Sequence, residues 1–209
     1  MATPADLAPA EEYRARWTEL TRQWAEQPGC SLGTLGPAGT SSHLTAVSLA
    51  ERYGLRLALL PSFDAVLSEL VSRKVEFALV PSAYQGLTRF HWHGGLRLRA
   101  FFAQATPEYG IAARADDEPG PPPGTGPVSV AAMWEVRRIY AEVAPAGLGD
   151  RPVRWVDAGS TQDAAAILAR GGADLAVTNA PGVRAHRLRW VATRPGAEVV
   201  WTLFGHADA

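Results

Sequence analysis

The stretch CSLGTLGPAGTSSHLTAVSLAERYG, residues 30–54, decides the fold. Cys30–Leu35 has the composition of a short strand, GPAGTSS (36–42) is a tight turn, and Ser42–Tyr53 is spaced as a helix that Gly54 closes. Working outward, Arg56–Leu60 reads as a second strand and Phe63–Arg73 as a second helix with Val66, Leu67, Leu70 and Val71 on one face. The apolar run Phe77–Val80 follows as a third strand. This βαβαβ alternation of short apolar strands implies an α/β fold with a mostly parallel sheet, whose ligands sit beyond the carboxyl ends of the strands. The Gly36–Ser42 turn and the segment Pro81–Gly86 both lie there.

Leu96–Phe102 and Tyr109–Arg114 read as strands on either side of Ala105–Glu108, and DDEPGPPPGTGP (116–127) as a surface loop. A second, smaller alternation comes next: Val128–Ala131, a helix near Trp134–Ala144, Val153–Val156, a helix over Gln162–Arg170, and Asp174–Thr178. The strand-like segments Leu188–Ala192 and Glu198–Phe204 are expected to return to the first unit, and two crossings make a hinged cleft. The organisation expected is a helical extension over 1–29, a first lobe over 30–104 and 189–206, and a second over 105–188. In residues 11–27 Tyr13, Trp17, Leu20 and Trp24 recur at helical spacing, so one side of that helix packs on its own domain, with a homodimer contact as the alternative.

The chain has 209 residues, 47% of them hydrophobic and 20% charged, enough apolar content to bury a sizeable core. Its formal net charge is -1, and no Lys/Arg run forms the stripe that nucleic acid or an anionic membrane requires. No apolar stretch approaches membrane-spanning length and the start lacks the pattern of a secretory leader, so a cytoplasmic protein is expected. A single cysteine, Cys30, excludes an internal disulfide, and no histidine or cysteine pair has zinc spacing.

A glycine-rich turn that enters a helix presents free backbone N–H groups and the positive end of the helix dipole, a site for an anion. Thr40, Ser41 and Ser42 add hydroxyl donors there, although the same residues are ordinary helix caps. The turn is neither a P-loop, whose lysine is missing, nor a dinucleotide fingerprint. A second turn of the kind, Gly159-Ser160-Thr161-Gln162, leads into the helix of the smaller lobe. Two such helix starts facing across one cleft suit a small dicarboxylate. His91 and His93 bracket Trp92 and share a face if that segment is extended, but with no third ligand nearby they read as rim or surface histidines; Arg89 is either a carboxylate ligand or solvated.

The order of motifs LGPAGTSS (35–42), VPSAYQG (80–86), GSTQDAA (159–165) and WTLFG (201–205) resembles the prephenate dehydratase pattern of GPxGTFS, VPIENSxxG, STxxAA and NxTRF, over nearly everything after Cys30. The resemblance implies a two-lobed, periplasmic-binding-protein-like (type II) fold with the substrate in the cleft between lobes, plus the extra N-terminal helix. The departures matter as much. Leu203 stands where the dehydratase motif has its arginine, the Glu-Asn-Ser segment is replaced by Ser82-Ala83-Tyr84-Gln85, the His-Pro-Gln segment by Ala131–Glu135, and no regulatory domain is expected to follow. GTSS, the AYxG of Ala83–Gly86, TPEYG (106–110) with Arg114, TNA (178–180) and LFG (203–205) are more similar to the non-aromatising prephenate decarboxylases of bacilysin-type antibiotic pathways.

That resemblance implies a carbon–carbon lyase that needs no cofactor and no metal, takes a small dicarboxylate, and makes a dihydro-4-hydroxyphenylpyruvate. Resemblance and spacing together assign Thr40, Ser41 and Ser42 to one carboxylate and Ser160, Thr161 and Gln162 to the other, with Tyr84, Tyr109 and Thr202 lining the ring and Thr106 and Phe204 as further substrate-binding residues. Ser41, Tyr109 and Thr202 are the expected catalytic residues; His43, His91, His93 and Tyr109 are the candidate proton donors. Leu203 is expected to withhold a donor from the leaving hydroxyl and to dry the site. The alternatives are a dehydratase, lyase or isomerase acting on a related cyclic carboxylate, and a non-catalytic carboxylate-binding module.

Overall fold

A computed structural model describes residues 9–118 and 126–208; most of the loop expected at 116–127 lies outside them. Strand β1 (Ser31–Leu35) pairs in parallel with β2 (Arg56–Leu60) and β3 (Phe77–Pro81), joined by helices α2 (Ser41–Tyr53) and α3 (Phe63–Val71). The last strand, β10 (Glu198–His206), inserts antiparallel between β3 and the edge strand β4 (Leu96–Ala105). The order of this first sheet is β2-β1-β3-β10-β4. Helix α1 (Pro9–Glu26) covers one face of it: Leu20 and Trp24 are buried, Trp24 meets Phe77 edge-on at 5.6 Å, and the Trp17 indole donates to the Phe101 carbonyl at 3.0 Å. The apolar side of α1 is thus filled from within its own chain.

The second sheet repeats the plan. β6 (Val128–Ala132) pairs in parallel with β7 (Val153–Asp157) and β8 (Leu175–Asn179), and β5 (Tyr109–Arg114) lies antiparallel between β8 and β9 (Leu188–Arg194), giving the order β7-β6-β8-β5-β9. Helix α5 (Arg137–Val143) closes a core of Ile111, Val130, Tyr140 and Val177 on one face; α6 (Thr161–Ala169) and α7 (Ala180–Ala185) cover the other. The expectation that 189–206 returns as a block to the first lobe is corrected at β9, which hydrogen-bonds to β5 and stays in the second; only β10 crosses back. The two α/β lobes have the type II periplasmic-binding-protein-like plan.

The chain passes between lobes at 106–108 and 195–197, and the two crossings are tied together: the Thr106 amide donates to the Ala197 carbonyl at 2.9 Å, and the Ala197 amide to Thr106 Oγ1 at 3.0 Å. A Cβ at Gly196 would come within 1.8 Å of the Thr106 carbonyl oxygen, so only glycine fits this approach. Two short helices escape the sequence reading, α7 and α4 (Thr88–His91), the latter following a 3-10 turn at Gln85–Leu87.

Candidate active site

Between the sheets, at the carboxyl ends of β1, β3 and β6, lies a cleft of about 280 Å³. That is near the roughly 300 Å³ lower end of small-molecule sites. Lobe one supplies Thr40, Ser41 and Ser42 from the start of α2, Phe63, and Pro81, Ala83 and Tyr84 at and after the end of β3; lobe two supplies Met133, Glu135, Val136, Arg138, Ile139 and Glu142; the crossings and the strand ends beside them supply Thr106, Tyr109, Arg194, Pro195 and Ala197.

The start of α2 is built by local hydrogen bonds. Thr40 is the N-cap: its hydroxyl donates to the Leu35 carbonyl at 2.8 Å and accepts from the His43 amide at 3.1 Å. The amides of Ser41 and Ser42, first in the helix, have no intrahelical acceptor by construction. The Ser41 hydroxyl bridges the lobes to the Tyr109 hydroxyl at 2.6 Å. Burial raises the Tyr109 phenol above its ordinary value, and the Ser41 hydrogen bond offsets part of that, so a neutral O–H faces the cleft at neutral pH. Tyr84 packs its ring, tilted, against Phe63 at 4.5 Å and its hydroxyl donates to Asp64 at 3.2 Å; burial first, then the Asp64 charge, raises its phenol.

Of the residues read from the sequence, the cleft brings together Thr40, Ser41, Ser42, Tyr84, Thr106, Tyr109 and Thr161. Four others do not line it. Thr202 donates its hydroxyl to the Val80 carbonyl at 2.6 Å inside the sheet, and Phe204 is fully buried against Phe90 at 5.3 Å. Ser160 is the N-cap of α6 and accepts from the Asp163 amide at 3.0 Å. Gln162 reaches across to lobe one instead, donating to the Gly39 carbonyl at 3.0 Å and to Asn179 Oδ1 at 3.1 Å, while Asn179 donates to the same Gly39 carbonyl at 3.0 Å. Gly39 has φ +90, and a Cβ there would stand 2.7 Å from the Gln162 amide nitrogen, so glycine permits this clasp.

The expected role of Leu203 is also corrected. Its side chain packs in the core with Trp24, Leu32 and Phe77, beneath α1 and α2, where it neither faces a ligand nor dries the cleft. The 91–93 segment is not extended: His91 ends α4, exposed and edge-on to Phe204 at 4.9 Å, and His93 accepts from the Gly95 amide. His43 accepts from the Gly39 amide, Arg89 pairs with Asp64, and Cys30 is buried with its thiol raised by burial. None of these lines the cleft, so Tyr109 alone of the candidate proton donors does. No group of three His, Cys, Asp or Glu side chains placed to hold a metal occurs among the described residues.

Sequence reading missed the charged wall. Glu135, Arg138, Ile139 and Glu142 recur at helical spacing across a 3-10 turn (Trp134–Val136) and α5, and all face the cleft. Arg194, at the end of β9, pairs with Glu142 at 2.6 Å, and Arg138 approaches the same carboxylate at 3.6 Å. That spacing was the signal available; a helix with a charged face is usually a solvated one, and no residue type there marks it as different.

The fold and this cleft define the class: two-lobed α/β proteins with a cleft between the lobes. The prephenate dehydratase of Arthrobacter aurescens in complex with L-Phe superposes with TM-score 0.57 at 18% identity, over 86% of this chain and 61% of that one, so the chain spans less than two thirds of the dehydratase. The periplasmic VFT2 domain of Bordetella pertussis BvgS superposes with TM-score 0.54 at 15% identity, over 91% of this chain and 86% of that one. Sequence narrows the class. The chain is 29% identical over 188 residues to a prephenate decarboxylase of Bacillus subtilis strain 168, covering 85% of this chain and 87% of that enzyme. It is 29% identical over 187 residues to a prephenate decarboxylase of Planktothrix agardhii, covering 83% and 86%. No family model matches. Fold and relatives agree with the resemblance read from the motifs: a prephenate dehydratase-like scaffold whose sequence relatives are decarboxylases.

Proposed function

We propose that this chain is a prephenate decarboxylase that leaves the ring non-aromatic. The observation that carries the reading is similarity along nearly the whole chain to enzymes of that name. The cleft supports it chemically. Breaking the bond from the ring to its carboxylate releases carbon dioxide and an electron pair. That pair forms a new ring double bond, and the neighbouring alkene pair takes a proton at the carbon beside the carbinol. The hydroxyl stays, and the product is a dihydro-4-hydroxyphenylpyruvate. Dehydrative decarboxylation differs in one step: the pair expels the hydroxyl, which needs an acid at that oxygen.

The lining residues include no histidine and no lysine; of their two phenols, both raised by burial, Tyr84 donates to Asp64, which leaves Tyr109 as the neutral acid for the substrate. Tyr109 delivers the proton; Ser41 donates to its oxygen and orients it through the 2.6 Å bond, while the Ser42 hydroxyl and the amides of Ser41 and Ser42 present neutral donors to the substrate. The mostly apolar surroundings (Phe63, Met133, Ile139, Trp201) favour loss of a charged carboxylate as a neutral molecule. The diene itself accepts the electrons, so the reaction calls for no cofactor. The same proposal places the enzyme in the cytoplasm and in antibiotic-type secondary metabolism, because a product that retains its ring hydroxyl is not a precursor of phenylalanine. No helix of the described residues is long and apolar enough to cross a membrane.

Incubation with prephenate followed by mass spectrometry tests the reading. A product lighter by carbon dioxide alone supports it. Phenylpyruvate as sole product reassigns the chain as a dehydratase, and saturable binding without turnover reassigns it as a carboxylate-binding module.

A further inference from the structure

With Ser160 and Gln162 occupied elsewhere, the cleft keeps only one of the two hydroxyl-lined carboxylate sites expected from sequence. A dianionic substrate still needs a second anchor. The cross-strand neighbour of Tyr109 in the β5–β9 ladder is Arg194. Directly paired residues place their side chains on the same face of a sheet, so the Arg194 guanidinium emerges beside the Tyr109 phenol. Its Nη1 donates to Glu142 at 2.6 Å, while Nη2 and Nε make no hydrogen bond among the described residues. A guanidinium has five donors, and two parallel ones match a carboxylate.

We infer that Arg194 is the charged anchor for the substrate and that it takes the 2-oxo (pyruvyl) carboxylate rather than the ring carboxylate that leaves. This rests on the proposed decarboxylation. The leaving carboxylate sheds its charge as the bond breaks, so a cation paired with it stabilises the ground state more than the transition state and slows the step. The pyruvyl carboxylate keeps its charge throughout, so pairing it with Arg194 binds substrate and transition state alike. The ring carboxylate is left to the Ser42 hydroxyl and the amides of Ser41 and Ser42 at the start of α2, neutral donors that orient it without neutralising it. Glu142 holds the guanidinium and also competes with substrate for its charge.

Phenylpyruvate keeps the 2-oxo carboxylate and lacks the ring carboxylate, so its binding to the purified full chain, read by calorimetry beside prephenate turnover, separates the two anchors. Arg194→Ala is expected to weaken phenylpyruvate at least ten-fold with an unchanged melting temperature, and Arg194→Lys to recover part of the loss. Glu142→Gln is expected to tighten it several-fold, because a like charge beside the ligand is removed. Weakening of prephenate without weakening of phenylpyruvate in Arg194→Ala would put the ring carboxylate on Arg194 and overturn the inference. So would equal weakening by Arg194→Ala and Glu142→Gln, which assigns the pair a structural role, or absence of phenylpyruvate binding to the unaltered chain. If the unaltered chain fails to turn prephenate over, the decarboxylase reading fails, and the binding measurements still decide where a 2-oxo carboxylate sits.

Discussion

The two lobes are built alike and face the cleft differently. Each has, second from the edge of its sheet, a strand with a serine gripped by an acid 45 residues downstream: Ser31 on β1 with Glu76 in lobe one, Ser129 on β6 with Asp174 in lobe two. In lobe two both the Ser129 amide and its hydroxyl donate to the carboxylate, at 2.8 and 2.6 Å. Burial pushes the Asp174 carboxyl up, and those bonds outweigh it, holding it below its ordinary value. What differs is the connection from that strand to the next helix. In lobe one a short turn, capped by the Thr40 hydroxyl, delivers Ser41 and Ser42 as neutral donors; in lobe two a 3-10 turn with no side-chain cap delivers Glu135 and Arg138. One scaffold thus offers a neutral wall and an ionic wall, a division suited to a ligand of which one carboxylate stays charged and the other departs.

Tyr109, at the junction of the two walls, gives the sharpest test. Tyr109→Phe is expected to lower kcat by about a hundred-fold, the lower end of the range for a lost general acid. Because the phenol must be protonated to act and its pKa is raised, kcat of the unaltered enzyme is expected to hold from about pH 6 to 9 and to fall only as pH rises through the elevated value. A pH profile with an alkaline limb near neutrality would remove Tyr109 from the role. Gln162→Leu comes next: it removes the donor to Gly39 and Asn179 and is expected to destabilise the fold by about 2–3 kcal/mol in chemical denaturation, since buried acceptors lose a partner. The smallest effect belongs to Ser160→Ala, a lost helix cap costing about 1 kcal/mol, with kcat/KM unchanged. A large loss of activity there would return Ser160 to the site.

The halves of the molecule were unequally legible. The βαβαβ alternation from Cys30 to Val80 follows from apolar runs, glycine breaks and helical spacing, and strands β2 and β5 fall on the residues expected. The start of α2 was recognisable because a turn rich in glycine and hydroxyls has few roles. The start of α6 has the same composition, yet there the hydroxyl caps its own helix and the amide joins the lobes; composition does not reveal which neighbour a side chain meets. Pairing α2 with α6 across the cleft overlooked α5, the helix that stands in lobe two where α2 stands in lobe one. Its approach, Ala131–Glu135, has no periodicity to read because it bends through a single 3-10 turn. β9 was assigned to the wrong lobe because strand partners are set by tertiary pairing, which the alternation of residues within a strand does not encode.

Thr106 and Ala197 tie the two interlobe crossings together, and Thr106, Arg194, Pro195 and Ala197 also line the cleft. The hinge and the ligand site therefore share residues. A ligand held there restrains rotation of one lobe against the other, so its affinity includes an entropic cost of stiffening the joint. Amide hydrogen exchange at residues 106–109 and 194–198 is expected to slow on binding, so that local rigidity becomes a signal of occupancy.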